Sequence, residues 1–216
     1  MGDTCPVATI RATDVSKVIG KTHLLVPVDL EAHPGECLVL RGPNGSGKTT
    51  LLRILAGTLP PTTGEAKLDG TPLDERNLHT RSHVAALLGA STTYRDLTLG
   101  DHLVLVDSTW GGDPSDAWQR AEGMLNVLEI GHLAKRFPHE LSSGQQQLFQ
   151  LALVLFRPGS VLLLDEPEQR LDTHKRELLT RVLTQRKEAG DTLVVACHDP
   201  EMTEALADAL LDLGDS

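Results

Sequence analysis

Gly42-Pro43-Asn44-Gly45-Ser46-Gly47-Lys48-Thr49 sits directly after the apolar run Cys37-Leu38-Val39-Leu40 and directly before Thr50-Leu51-Leu52-Arg53-Ile54-Leu55-Ala56. The first run reads as a buried strand. The last reads as a helix that Gly57 ends. Between them the spacing is G-x-x-x-x-G-K-[ST]. Glycines let the backbone curl so that successive N–H groups point inward at a phosphate, and the positive end of a helix starting near Lys48 adds to that field. In this reading Lys48 reaches the outer phosphates of a nucleotide and the Thr49 hydroxyl ligates Mg²⁺. The strand before and helix after separate this pattern from an ordinary glycine-rich turn.

Outward from the loop, strands and helices alternate. Toward the N-terminus, Val26, Val28 and Leu30 alternate as in a half-buried strand, with Pro34-Gly35 as a turn. Downstream, Pro60-Pro61-Thr62-Thr63-Gly64 reads as a loop and Lys67-Leu68-Asp69-Gly70 as a hairpin edge. From about Tyr94 to Phe156 the pattern is mostly helical, broken at Gly111-Gly112 and Pro138. Val161-Leu162-Leu163-Leu164 is a second buried strand, Thr173 to Glu188 a polar-faced helix and Leu193-Val194-Val195-Ala196 a third buried strand. Asp199-Pro200 caps a last helix. This predicts an α/β fold: a core with a mainly parallel sheet, an N-terminal antiparallel β region and an inserted helical subdomain. The expected core spans about 1–89 and 157–216, and the insertion about 90–156.

Composition sets bounds. The 216 residues suffice for one domain. Aromatics are 3% of the chain, so the core must be built from Leu, Val, Ala and Ile. A net charge of −10 without a Lys/Arg cluster argues against nucleic acid as a partner. Cys5, Cys37 and Cys197 are too far apart for a zinc or disulfide pattern, and a reducing cytoplasm fits them. The N-terminus has no signal pattern, and no run approaches the roughly 20 apolar residues that cross a bilayer. Any membrane role is expected to come from a partner.

Two further stretches carry chemistry. Asp165-Glu166 ends the second buried strand. The first carboxylate can hold Mg²⁺ and the second, pointing elsewhere, can orient water. Leu141-Ser142-Ser143-Gly144-Gln145 precedes a helical run. It reads as a serine N-cap or as a second anion-binding helix start. With these, the chain resembles the ATP-binding-cassette (ABC) ATPases. Their order is P-loop, LSGGQ signature, strand-Asp-Glu, a short loop ending in Asp, then a switch histidine. Here the signature reads LSSGQQQ, the loop is Glu168-Gln169-Arg170-Leu171-Asp172 and the histidine is His198.

The resemblance covers essentially the whole chain and implies the following roles. ATP is held by Gly42, Pro43, Asn44, Gly45, Ser46, Gly47, Lys48, Thr49 and Thr50, with Thr49 and Asp165 on Mg²⁺. Glu166 and His198 are catalytic. Ser142, Ser143, Gly144 and Gln145 close the ATP site of a second ATPase subunit, in a homodimer or heterodimer, and Asp172 belongs to the dimer loop. The working partner is a membrane-spanning transporter subunit, which holds the chain at the cytoplasmic face. The short chain resembles exporter ATPases, so export is expected. A soluble non-transport ATPase and an ATP sensor with little turnover are the alternatives. The sequence departs from the family in three places. Ile19 or Val18 stands where an aromatic usually stacks on adenine. Gly89 falls where a metal-binding glutamine is usual, upstream of Tyr94-Arg95-Asp96-Leu97-Thr98. Ser143 replaces a glycine.

Overall fold

The computed structural model describes residues 8–89 and 92–214, so Cys5 lies outside the described residues. The runs Cys37–Arg41 (β3), Val161–Asp165 (β7) and Thr192–Ala196 (β8) form the centre of a five-stranded sheet with order β6-β7-β8-β3-β9. Every neighbouring pair in it is parallel. Strands buried on both faces need apolar residues at every position, which is why these runs are continuous rather than alternating. The flanking strands are β6 (Val84–Leu87) and β9 (Ala209–Asp212).

Successive side chains of a strand point to opposite faces, and the core divides accordingly. Leu38, Leu40, Leu163, Val194 and Ala196 join one cluster with Leu51, Leu52 and Leu55 of helix α1 (Lys48–Leu55). Cys37, Val39, Leu162, Leu164, Leu193 and Val195 join the other. That second cluster takes in helices α3 (Leu99–Thr109), α4 (Ala117–Val127), α5 (Ser143–Leu155) and α6 (Thr173–Glu188), with Phe149 its largest fully buried side chain.

A second, antiparallel sheet has order β2-β1-β4-β5, from β1 (Ile10–Ile19), β2 (Thr22–Ala32), β4 (Thr63–Leu68) and β5 (Thr71–Pro72). It covers α1 from outside through Ile10, Leu25, Leu30 and Leu68. Thr192 ties the two sheets: its buried hydroxyl donates to the Ala8 carbonyl at 2.6 Å. Among the described residues the remaining α-helices are α2 (Leu78–His83) and α7 (Pro200–Leu206).

Several sequence expectations need correction. Val26 is exposed while Leu25, Val28 and Leu30 are buried, because the β1–β2 register shifts between Val15 and Lys17 and the inward phase slips. Thr63 and Gly64 belong to β4 rather than to a loop. The stretch from Tyr94 to Thr98 is not helical; α3 starts only where Thr98 and Asp101 cap each other reciprocally. The helix after the glycine-rich loop does begin at Lys48, as expected. Asp69-Gly70 does turn a hairpin, and α6 starts at Thr173 under its Asp172 cap.

Burial sets the size of two effects. Leu163→Ala, at a fully buried centre of the sheet, should cost about 2–5 kcal/mol through lost transfer energy and a cavity. Thr192→Val keeps the shape but leaves the Ala8 carbonyl unpaired, for about 1–3 kcal/mol. Urea unfolding followed by circular dichroism measures both. Unchanged stability in Thr192→Val would contradict this view of the tie.

Candidate active site at the sheet edge

The loop after β3 packs tightly on its surroundings. A side chain at Gly42 would come within 2.1 Å of the Leu213 carbonyl, and one at Gly47 within 2.7 Å of the Leu24 carbonyl, so a bare backbone is required at both. The Ser46 N–H donates to the Pro43 carbonyl at 3.2 Å, which curls the loop. Lys48 is buried, and its ammonium donates to the carbonyls of Gly42 (2.7 Å) and Pro43 (3.1 Å). The Ser46 hydroxyl is buried and has no hydrogen-bond partner. A cavity of about 390 Å³ opens at the loop, lined by Leu24, Asn44, Gly45, Gly47, Lys48, Thr49, Thr50 and Glu166.

The end of β7 brings two acids to this region. Asp165, last residue of β7, accepts a hydrogen bond from the Thr49 hydroxyl at 2.6 Å. The chain then turns sharply. Glu166 adopts a left-handed backbone (φ 48°), and its N–H donates to the Ala196 carbonyl at 2.8 Å. Its carboxylate therefore points away from that of Asp165. One oxygen lies 3.1 Å from His198 Nε2, and the other accepts from the Gln169 side-chain amide. His198 follows β8, and its own N–H donates to Glu168 at 2.8 Å. So Lys48, Thr49, Asp165, Glu166 and His198 come together from three parallel strands.

Other expected residues lie apart from the cavity. Ser142 caps α5: its hydroxyl accepts from the Gln145 N–H at 3.4 Å, while the Gln145 side chain accepts from the Ser142 N–H at 3.0 Å. Ser143 is exposed, and Gly144 packs against the Arg170 carbonyl. None of the four lines the cavity at Lys48. Asp172 caps α6 by accepting from the Lys175 N–H at 2.9 Å. Ile19, 57% exposed at the end of β1, lines neither cavity beside the loop. Gly89 follows β6 in a left-handed conformation, with no glutamine in the adjoining sequence.

Three residues near the site escaped the sequence reading. His23 of β2 lines a second cavity of about 320 Å³ with Pro43, Asn44, Gly45 and Ser46. Its only sequence signal is an imidazole four residues past Ile19. Glu168 and Gln169 are the other two, and they stood in the sequence as mere loop residues.

The two described cysteines do no chemistry here. Burial pushes the Cys37 and Cys197 thiols up to about 12, so both stay protonated. Asp199, next to His198, is the opposite case. The Met202 N–H, and after it the Arg176 guanidinium, hold its carboxyl below the usual range and fix the start of α7.

A parallel sheet whose strand ends carry a phosphate-type loop, an Asp-Glu pair and a histidine defines an ABC ATPase fold. The chain belongs to the ABC transporter family: the family's sequence profile, described as ABC transporter, matches residues 25–169. ATP-binding subunits of this family's transporters are ATPases. The chain is 35% identical over 209 residues to a sulfate/thiosulfate import ATP-binding protein of Vibrio cholerae, covering 94% of this chain and 55% of that one. It is also 35% identical over 207 residues to a spermidine/putrescine import ATP-binding protein of Nitrosomonas europaea, covering 93% and 55%. The chain thus spans little more than half the length of these relatives. Among solved structures, the ATP-binding subunit of an ABC transporter superposes with a TM-score of 0.85 at 23% identity, covering 94% of this chain and 85% of that one. A nucleotide-free ATP-binding cassette superposes with a TM-score of 0.78 at 20% identity, covering 95% and 87%. Both show the fold. The expectation of export finds no support here, because these sequence relatives are named as import proteins.

If Ile19 or Val18 stands where a ring usually stacks on adenine, base selectivity should be weak. Competition binding should show less than about a tenfold preference for ATP over GTP, or roughly 1.4 kcal/mol. Ile19→Tyr should tighten ATP binding by adding a stacking face. A strong ATP preference in the unaltered chain, abolished by His23→Ala, would instead assign base recognition to His23.

Proposed function

We propose that this chain binds ATP with Mg²⁺ and hydrolyses it as the nucleotide-binding subunit of an ABC transporter. The observation that carries this reading is the meeting of Lys48, Thr49, Asp165, Glu166 and His198 at one sheet edge. Lys48 now spends its charge on two neutral carbonyls, Gly42 and Pro43. Phosphate oxygens would replace them with charge-assisted bonds. The unpartnered Ser46 hydroxyl and the first-turn N–H groups of α1, which have no acceptor within the helix, suit the same ligand.

The Thr49 hydroxyl and the Asp165 carboxylate are hard oxygen donors side by side. That set fits Mg²⁺, which prefers one or two protein oxygens alongside phosphates and water. When bound, the ion neutralises charge on the phosphate oxygens. Glu166 then orients and deprotonates the attacking water, and His198 contacts the terminal phosphate through its imidazole.

The signature residues Ser142, Ser143, Gly144 and Gln145 lie outside this chain's own cavity. A second ATPase subunit, identical or not, would bring its own copy of them to close the site, with Asp172 at the shared interface. Residues 90–156 act as the helical subdomain, and the stretch from Gly89 to Asp101 meets the membrane-spanning subunit. Among the described residues no helix is long and apolar enough to cross a membrane. The chain would therefore sit at the cytoplasmic face through that partner. One observation favours a sensor with little turnover, the absence of a glutamine at Gly89. Nothing favours a soluble non-transport ATPase.

Two variants test the reading. Lys48→Ala should weaken ATP binding by at least about tenfold and reduce turnover to background. Glu166→Gln should bind ATP within about twofold of the unaltered chain while hydrolysis falls about 10²–10⁴-fold. ATP that persists at a shared interface holds two chains together. Light scattering should therefore find Glu166→Gln dimeric with ATP and monomeric without it. Full activity in either variant would overturn the assignment of that residue. An unaltered chain that binds ATP but never hydrolyses it, even with its membrane partner, would favour the sensor.

A further inference from the structure

We propose that Gln169 is a positioning residue for hydrolysis: its side-chain amide holds the Glu166 carboxylate in the orientation in which the other oxygen faces His198. The inference rests on Glu166 being the water-activating group.

The backbone of Glu166 is fixed by its bond to the Ala196 carbonyl, but its side chain still has three torsions to settle. Both carboxylate oxygens are engaged. Oε1 meets His198 Nε2 at 3.1 Å, and Oε2 accepts from Gln169 Nε2. An ionised carboxylate offers acceptors only, so the glutamine must present its NH₂ end, and the amide orientation follows from the chemistry. The contact is built into the loop. Gln169 N–H donates to the Glu166 carbonyl at 3.1 Å, closing a turn that folds residue 169 back over residue 166.

Glu168 supplies an independent observation. It is buried, and one of its oxygens accepts the His198 N–H at 2.8 Å. Two consecutive loop residues therefore grip the two halves of the dyad, Glu168 the backbone of His198 and Gln169 the carboxylate of Glu166. Hydrolysis needs one defined oxygen presented to water, since small errors of placement cost large factors in rate. Without Gln169 the carboxylate would be held at one oxygen only and would rotate about the His198 contact. The amide that the sequence lacks at Gly89 is thus not restored by Gln169, which acts on the acid rather than on a metal.

The test uses substitutions that preserve shape. Gln169→Met keeps length and packing but has no donor, and Gln169→Glu places a like charge on the carboxylate. In the full chain, assayed with its membrane partner where turnover requires it, kcat should fall about tenfold for Gln169→Met and further for Gln169→Glu. KM and ATP affinity should stay within about twofold. In the Glu166→Gln background, Gln169→Met should change the residual rate less than about twofold. A packing role predicts normal kcat for Gln169→Met. A readout without turnover is the side-chain amide signal of Gln169 in ¹⁵N-glutamine-labelled protein, identified by its loss in Gln169→Met. It should shift on Glu166→Ala. An unmoved signal, or a normal kcat in Gln169→Met beside an inactive Glu166→Gln, overturns this inference alone. An active Glu166→Gln overturns the reading beneath it.

Discussion

Parallel pairing of β3, β8 and β7 is the constraint on which the rest depends. Leu40 pairs with Ala196, and Ala196 pairs with Asp165, so the three strands end on one line. Everything chemical begins at that line. The glycine-rich loop leaves β3, the two acids end β7 and His198 follows β8. The register cannot slip by one residue without cost, because a slip would exchange the residues facing α1 with those facing α5 and α6. Leu38 and Leu40 are shaped into one core, Cys37 and Val39 into the other. Site geometry is therefore enforced by packing on both faces of the sheet, well away from the site itself.

This explains what could be read from sequence. The central strands stood out because burial on both faces demands unbroken apolar runs, and their ends marked where chemistry sits. Helices with side-chain caps, such as α6 after Asp172 and α7 after Asp199, also announced their starts. Elements without a regular buried face did not, even where a cap is present, as at Asn77 before α2. β1 is interrupted by Asp14 with φ 50° and by register shifts, so its alternation is lost. β9 is mostly exposed, and α2 has a single buried residue. The motif residues around the cavity were legible as a set because their order along the chain is itself a pattern. Glu168, Gln169 and His23 were not, since their relevance comes from what the folded chain places beside them.

Charge was a weaker guide than packing. The chain carries a net charge of −10, yet the buried cation Lys48 sits where an anion would be held. Many of the acids are spent on the surface or at helix starts. Glu129 is one: hydrogen bonds from Lys175 and then His174 hold its carboxyl down at about 2. Such an exposed cluster contributes little to stability. It nonetheless joins the end of α4 to the start of α6, beside the Asp172 cap.

Residues 166–172 show why a strained connection is retained. Within seven residues, Glu166 and Arg170 both adopt left-handed backbones without being glycine, at φ 48° and 63°. Such conformations cost about 1–3 kcal/mol each and persist only where the surroundings over-determine them. Here they do. The Glu166 N–H is bound to Ala196, the Pro167 carbonyl accepts from Gln147 of α5 at 3.1 Å, and the Arg170 carbonyl lies against Gly144. Asp172 then caps α6. A relaxed loop could not face the strand end, the α5 start and the α6 start in so few residues. The strain is the consequence of joining three elements through one short path, and it fixes the direction in which Glu166 leaves the sheet.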